Sequence, residues 1–342
     1  MKPWIFFMIL FISILGPVAS VDGAQVTTEK TIKKDQPISL SNKKKSKVSD
    51  LFEQKKFSQL TESYSTNLDQ LNADELTLLA IAYGEIKDYK QMLKIIDLVV
   101  GQRPEEPEAL NIKAMALMKL NKEREAMDLI KHALEINPRY EPAYHTAAEY
   151  YDKKSNRYEL KLLYQDMIKN IGERSEYVSQ LCQIATLDGQ HDQAIYNCNR
   201  GVSLDPSRES NYVYLGIVYK DQEKWKSAEG YLKRATIKFP DSEFTNYSYA
   251  NYLFERKNFI EANKYFEKAI RADVNSARAL IGLGLTSIEV NKPARGYEAF
   301  KKACTLKQKE VVSSIRIALQ ALRKSKDQEM IQKFETLSDH CL

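Results

Sequence analysis

The 342-residue chain sets 51 Lys and Arg against 46 Asp and Glu, for a formal net charge of +5, with 43% hydrophobic and 10% aromatic residues. So mild a basic balance, with no groove-reading motif, argues against a nucleic-acid partner. No window beyond the N-terminal twenty residues is apolar enough to cross a membrane.

The first element is an apolar run from Trp4 to Leu15, preceded by Lys2 and broken by Gly16 and Pro17. The run falls short of the ~20 residues that span a bilayer. With Val18-Ala19-Ser20 after it, it reads as a signal peptide over residues 1–20, cleaved near Ser20. The expected location is outside the cytoplasm, in the periplasm; the alternative is an uncleaved N-terminal anchor. No cysteine lies near the cleavage region, which argues against a lipid-anchored N-terminus. Residues 21–47 are rich in Lys, Thr and Ser and lack apolar anchors, so a flexible tether is expected. Its basic side chains (Lys30, Lys33, Lys34, Lys43, Lys44, Lys45, Lys47) would be drawn weakly to an anionic envelope surface.

From residue 48 onward the chain repeats itself. The window 209–242 carries Leu215-Gly216, Tyr219, Trp225, Ala228, Leu232, Ala235 and Pro240. The pattern returns 34 residues later as Tyr249-Ala250, Leu253, Phe259, Ala262, Phe266 and Ala269, and then as Leu283-Gly284, Phe300 and Ala303. Backward, 107–140 offers Leu110, Ala114, Leu117, Ala126, Ala133 and Pro138. Seven windows run without insertion: 73–106, 107–140, 141–174, 175–208, 209–242, 243–276 and 277–310. A weaker unit precedes them and a capping unit, 311–342, follows. Within each window apolar residues recur at three- and four-residue steps, the period of an amphipathic helix. Breakers fall where turns are needed: Asp188-Gly189 and Asp221-Gln222 within windows, Asn137-Pro138, Asp205-Pro206 and Phe239-Pro240 between them.

This chain resembles the tetratricopeptide repeat (TPR) family, whose period is 34 residues. The resemblance covers residues 48–342 and implies an all-α, right-handed superhelical solenoid of eight to nine antiparallel helix pairs. The family's early Trp is replaced by Tyr144, Tyr212 or an aliphatic residue, and window 141–174 is degenerate, with Leu160 and Met167 at usually small sites. Tyr219, Trp225, Tyr231 and Phe266 fall at core positions.

Nothing in the sequence converges on catalysis. His132, His145, His191 and His340 are scattered, and there is no His-Glu-x-x-His pair, phosphate loop or nucleophile elbow. The expectation is therefore a non-catalytic scaffold with no cofactor and no metal. The resemblance implies a partner-binding groove lined by the second, fifth, sixth, ninth, twelfth and thirteenth positions of each window. Carried over, these give Asn111, Met115, Met118, His145, Glu149, Asp152, Ser179, Gln183, Val213, Tyr214, Ile217, Tyr247, Asn251, Phe254, Ile281 and Leu285. No fifth position is Lys, so the family's clamp for a terminal carboxylate is absent. The expected partner is a protein or peptide segment, another envelope protein. The alternative is association with envelope glycan or peptidoglycan through the tether and exposed tyrosines. Oligomeric state is not encoded in any readable feature.

The register also bears on CQIATLDGQHDQAIYNC, Cys182 to Cys198. Cys182 takes the eighth position of its window, where Gly216 and Gly284 stand, and Cys198 the twenty-fourth, where Leu232, Phe266 and Phe300 stand. These positions face one another across a helical hairpin. Zinc would need further ligands, and His191 belongs to the turn end. Free buried thiols remain the alternative to a disulfide Cys182–Cys198. A second pairing, Cys304–Cys341, would tie down the terminal helix.

Overall fold

The structure, a computed structural model, describes residues 46–306, 310–325 and 327–341. The expected signal peptide and all but the last two residues of the expected tether lie outside the described residues. Among the described residues there are eighteen α-helices, one short 3-10 turn and no strand.

The helices are α1 (Lys47–Glu53), α2 (Phe57–Tyr64), α3 (Ala73–Glu85), α4 (Tyr89–Gln102), α5 (Pro107–Lys119), α6 (Glu123–Ile136), α7 (Glu141–Lys153), α8 (Arg157–Asn170) and α9 (Ser175–Leu187). They continue as α10 (His191–Leu204), α11 (Glu209–Asp221), α12 (Trp225–Lys238), α13 (Glu243–Glu255), α14 (Phe259–Ala272), α15 (Ala277–Glu289), α16 (Pro293–Thr305), α17 (Glu310–Ser325) and α18 (Gln328–His340). The odd-numbered helices from α3 to α15 start 34 residues apart.

The chain divides into two compact units, whose described parts are residues 46–177 and 178–341. In the first, α3 packs on α4, α5 on α6 and α7 on α8; in the second, α11 packs on α12, α13 on α14, α15 on α16 and α17 on α18. The reason lies in the stripe each even helix carries. Ala126, Ile130 and Ala133 are buried on α6, Ala228, Leu232 and Ala235 on α12, and Ala262, Phe266 and Ala269 on α14. A large side chain between two alanines sits over a small residue on the paired helix. A Cβ built on Gly216 would collide with Leu232, and one on Gly284 with Phe300. The eighth position must be small where the twenty-fourth is large.

At Cys182 and Cys198 the same two positions carry thiols. Their Cα atoms stand 4.9 Å apart with the sulfurs in bonding contact, and both residues are wholly buried. Cys304 and Cys341 also meet, with Cα atoms 5.3 Å apart, and both are half-buried beside the Phe300–Phe334 core.

The pairs from α3–α4 to α15–α16 each turn on one left-handed residue. Lys87, Asn121, Ser155, Glu223, Lys257 and Asn291 have φ between 53° and 64°, and Gly189 takes the same place at 67°. The next residue donates its N–H back to the carbonyl five residues earlier, at 2.7–2.9 Å, as in Asp88 to Tyr83 and Lys224 to Tyr219. This satisfies helix-end carbonyls that would otherwise be orphaned.

Four of the joints between pairs carry a proline: Pro104, Pro138, Pro206 and Pro240. Pro138 and Pro206 expose carbonyls that accept from the hydroxyls of Tyr144 (3.1 Å) and Tyr212 (3.2 Å). Asn246 donates equivalently to Pro240 at 2.7 Å. The tyrosines replacing the family's Trp thus bond to the turn that delivers the chain to them.

Candidate partner-binding surfaces

In the unit of residues 46–177, the stripe expected to line the groove lies on α3, α5 and α7. Asn111 is 4% exposed, with its Oδ1 buried and unpartnered and its amide 4.0 Å from the Met115 sulfur. Met115 and Met118 are half-buried, adaptable surface at the same height. Glu149 is exposed and accepts from Lys119 at 2.9 Å, and Asp152 is exposed beyond it. His145 lies 3.3 Å from Glu141. That carboxylate also accepts from the Tyr177 hydroxyl at 2.5 Å and from Arg174 at 2.7 and 2.9 Å. Burial alone would raise the Glu141 carboxyl, but Tyr177, Arg174 and His145 together hold it below its ordinary value.

In the unit of residues 178–341, Ser179 is buried with an unpartnered hydroxyl, and Gln183 is half-buried. The stripe then continues on α11, α13 and α15 with a different character. Val213 and Tyr214 are buried, Tyr214 edge-on to Phe244 at 5.9 Å, so both serve the core as well as the stripe. Ile217 and Phe254 are half-buried. Tyr247 is 7% exposed, packed 6.0 Å from the Phe266 ring centre with the Arg278 guanidinium 4.6 Å from its own. Burial pushes its hydroxyl up to about 12, so it remains a neutral phenol. Asn251 donates to Glu255 at 3.1 Å, and Glu255 also meets Lys220 at 3.1 Å. Ile281 and Leu285 are buried walls of a small niche that includes Tyr247, Asn251, Phe254 and Arg278.

Arg278 reaches across to Glu243 through two bonds, Nε at 2.9 Å and a second nitrogen, and Ser276 joins the same carboxylate at 2.6 Å. Burial would lower the guanidinium's affinity for its proton, but the Glu243 bonds and charge outweigh it. This stripe therefore presents apolar walls whose charges are internally matched. Sequence reasoning missed Arg278 and Lys220, although they occupy the second and twelfth stripe positions. Glu243 and Glu255 were less accessible, because they enter only as partners of those cations.

The aromatic residues away from the stripe are mostly engaged. Tyr219 and Tyr231 stack on each other at 5.4 Å, and Lys268 lies 4.4 Å from the Tyr265 ring centre. Trp225 carries Arg256 at 4.7 Å and takes the Tyr252 hydroxyl on its carbonyl. Tyr158 and Tyr196 are well exposed on α8 and α10, and Tyr196 carries Arg200, whose guanidinium lies 5.6 Å from its ring centre and donates to its hydroxyl at 3.0 Å. Among the described residues, no group of three or more His, Cys, Asp or Glu could hold a metal ion, and no helix is long and apolar enough to cross a membrane.

Repeated helix pairs with recurring joints, presenting one face of successive first helices, define a helical-repeat protein. A family model described as Tetratricopeptide repeat matches residues 107–140. The chain therefore carries a tetratricopeptide repeat over residues 107–140, set within a helical-repeat fold. It is similar to the Type IV pilus assembly protein PilF of Pseudomonas aeruginosa, at 24% identity over 132 residues, 38% of this chain and 52% of PilF. The matched region thus spans about half the length of that relative. Among solved structures it resembles the C-terminal part of a TPR repeat-containing protein from Cytophaga hutchinsonii, with TM-score 0.55 and 16% identity over 69% of this chain and 98% of that one. It also resembles the APC/C hetero-tetramer Cut9-Hcn1, with TM-score 0.52 and 14% identity over 80% of this chain and 55% of that chain. At such identities the solved structures speak for the fold alone.

Proposed function

We propose that this protein is an exported, non-catalytic scaffold that holds a segment of another envelope protein against the first helices of its repeats. The observation that carries the reading is the stripe on α11, α13 and α15. It sets Ile217, Phe254, Ile281 and Leu285 beside Asn251 while pairing its own charges, Lys220 with Glu255 and Arg278 with Glu243. Apolar anchors among matched charges suit protein recognition better than an ionic ligand. The apolar run and small residues at the N-terminus support export, and the name of the pilus-assembly relative is compatible with an envelope role.

Both cysteine pairs are read as disulfides, consistent with an oxidising compartment. The glycan alternative has less support, because Tyr219, Tyr231 and Tyr265 are already covered by stacking or a cation. Affinity capture from native envelope extract tests the function. The wild-type chain is expected to retain a protein that Asn251→Ala and Phe254→Ala together release. Retention unchanged by both substitutions would contradict the groove reading.

A further inference from the structure

We propose that the niche on α13 and α15 reads one internal peptide unit of an extended partner segment together with a small aliphatic side chain. This rests on the groove-binding reading above and adds what the groove accepts.

The walls are Tyr247, Phe254, Phe266, Ile281 and Leu285, with Gly282 among them, around a cavity of about 20 Å³. Such a volume admits a group about the size of a water molecule or a methyl. Gly282 permits this packing, since a Cβ there would overlap the Phe266 ring. A bulky aromatic anchor does not fit; the methyl of Ala, or one methyl branch of Val, does.

Two polar side chains share the niche. Asn251 commits an N–H to Glu255, which leaves its Oδ1 as an acceptor. Arg278 commits Nε and one terminal nitrogen to Glu243, which leaves its other terminal nitrogen as a donor. One acceptor and one donor match the N–H and C=O of an extended peptide unit. The charges select against a free C-terminus. Arg278 is neutralised by Glu243 and Lys220 by Glu255, so a carboxylate entering the niche would lose water without gaining an unpaired cation. A peptide carbonyl needs only the dipole.

The test titrates the whole, methyl-labelled chain with short acetylated and amidated peptides of Ser, Thr and Asn. One central residue is varied among Gly, Ala, Val and Phe, and a further peptide ends in Val with a free carboxylate. The Ile281 and Leu285 methyl signals are expected to move. Ala should bind about fourfold more tightly than Gly, the worth of one buried methyl, with Phe rejected and the free carboxylate bringing no gain. Asn251→Ala should weaken the Val peptide about fivefold through one lost hydrogen bond, with thermal melting unchanged. Arg278→Lys, which keeps a cation opposite Glu243, should weaken it as well. Preference for Phe or for the free carboxylate would overturn the inference while leaving the groove reading intact. So would a response confined to the Met115 and Met118 methyls. Silence on every first helix would overturn both.

Discussion

Glu141 concentrates in one carboxylate much of what joins window 141–174 to the start of α9. The apolar core there is thin, built on Tyr144, Met167 and Tyr177. Polar contacts from Tyr177, Arg174 and His145 supplement it. Replacing Glu141 with Gln removes charge-assisted bonds and leaves the Tyr177 hydroxyl poorly matched. The expected loss is about 1–3 kcal/mol at neutral pH. Because the folded carboxyl is held below its ordinary value of 4.5, its stabilisation is present above that pH and lost as pH falls through the folded value. Thermal denaturation should therefore separate wild type from Glu141→Gln clearly at pH 7 and much less in strong acid. An equal gap at both pH values would show that the charge is not what stabilises this joint.

At the scale of the element, the turn inside each helix pair sets what the sequence revealed. The pairing of helices was legible because small and large residues recur at fixed positions, as with Ala228, Leu232 and Ala235. The left-handed turn residue was legible only at Gly189. After Lys87, Asn121, Ser155, Glu223, Lys257 and Asn291, the next residue's N–H bonds the carbonyl five residues before it and enforces the conformation. Residue type there reports little, since the bond needs no side chain. A non-glycine residue in that region costs roughly 1 kcal/mol. Glu223→Gly should therefore stabilise the chain by up to about 1 kcal/mol, read as a higher denaturation midpoint. A loss of stability would mean that the Glu223 side chain contributes more than its backbone strain costs.

At the scale of the molecule, the repeat register placed the thiols and the stripe, but the stripe's chemistry was only partly legible. Asn251 and Phe254 could be read from position alone. The burial of Asn111 and Tyr214, at 4% and 2% exposure, could not, because it depends on neighbouring helices rather than on their own windows. The matched charges around Arg278 likewise appear only once α13 and α15 lie side by side. If Cys182 and Cys198 are bonded, as we propose, reduction should cost about 3 kcal/mol on the chain-entropy account of so short a loop. Denaturation with and without reductant measures this, alongside thiol titration of the denatured, unreduced chain. Four free thiols would contradict both pairings and weaken the case for export.

Site-specific photo-crosslinking in the native cell tests the central claim most directly. A photoreactive residue is placed at Ile217 or Asn251 on the stripe, or at the exposed Ile237 or Ile260 on α12 and α14, which are 72% and 66% exposed. The account predicts a discrete protein adduct from the stripe positions and none from α12 or α14. Adducts from Ile237 and Ile260 alone would place the partner on the second helices and contradict it.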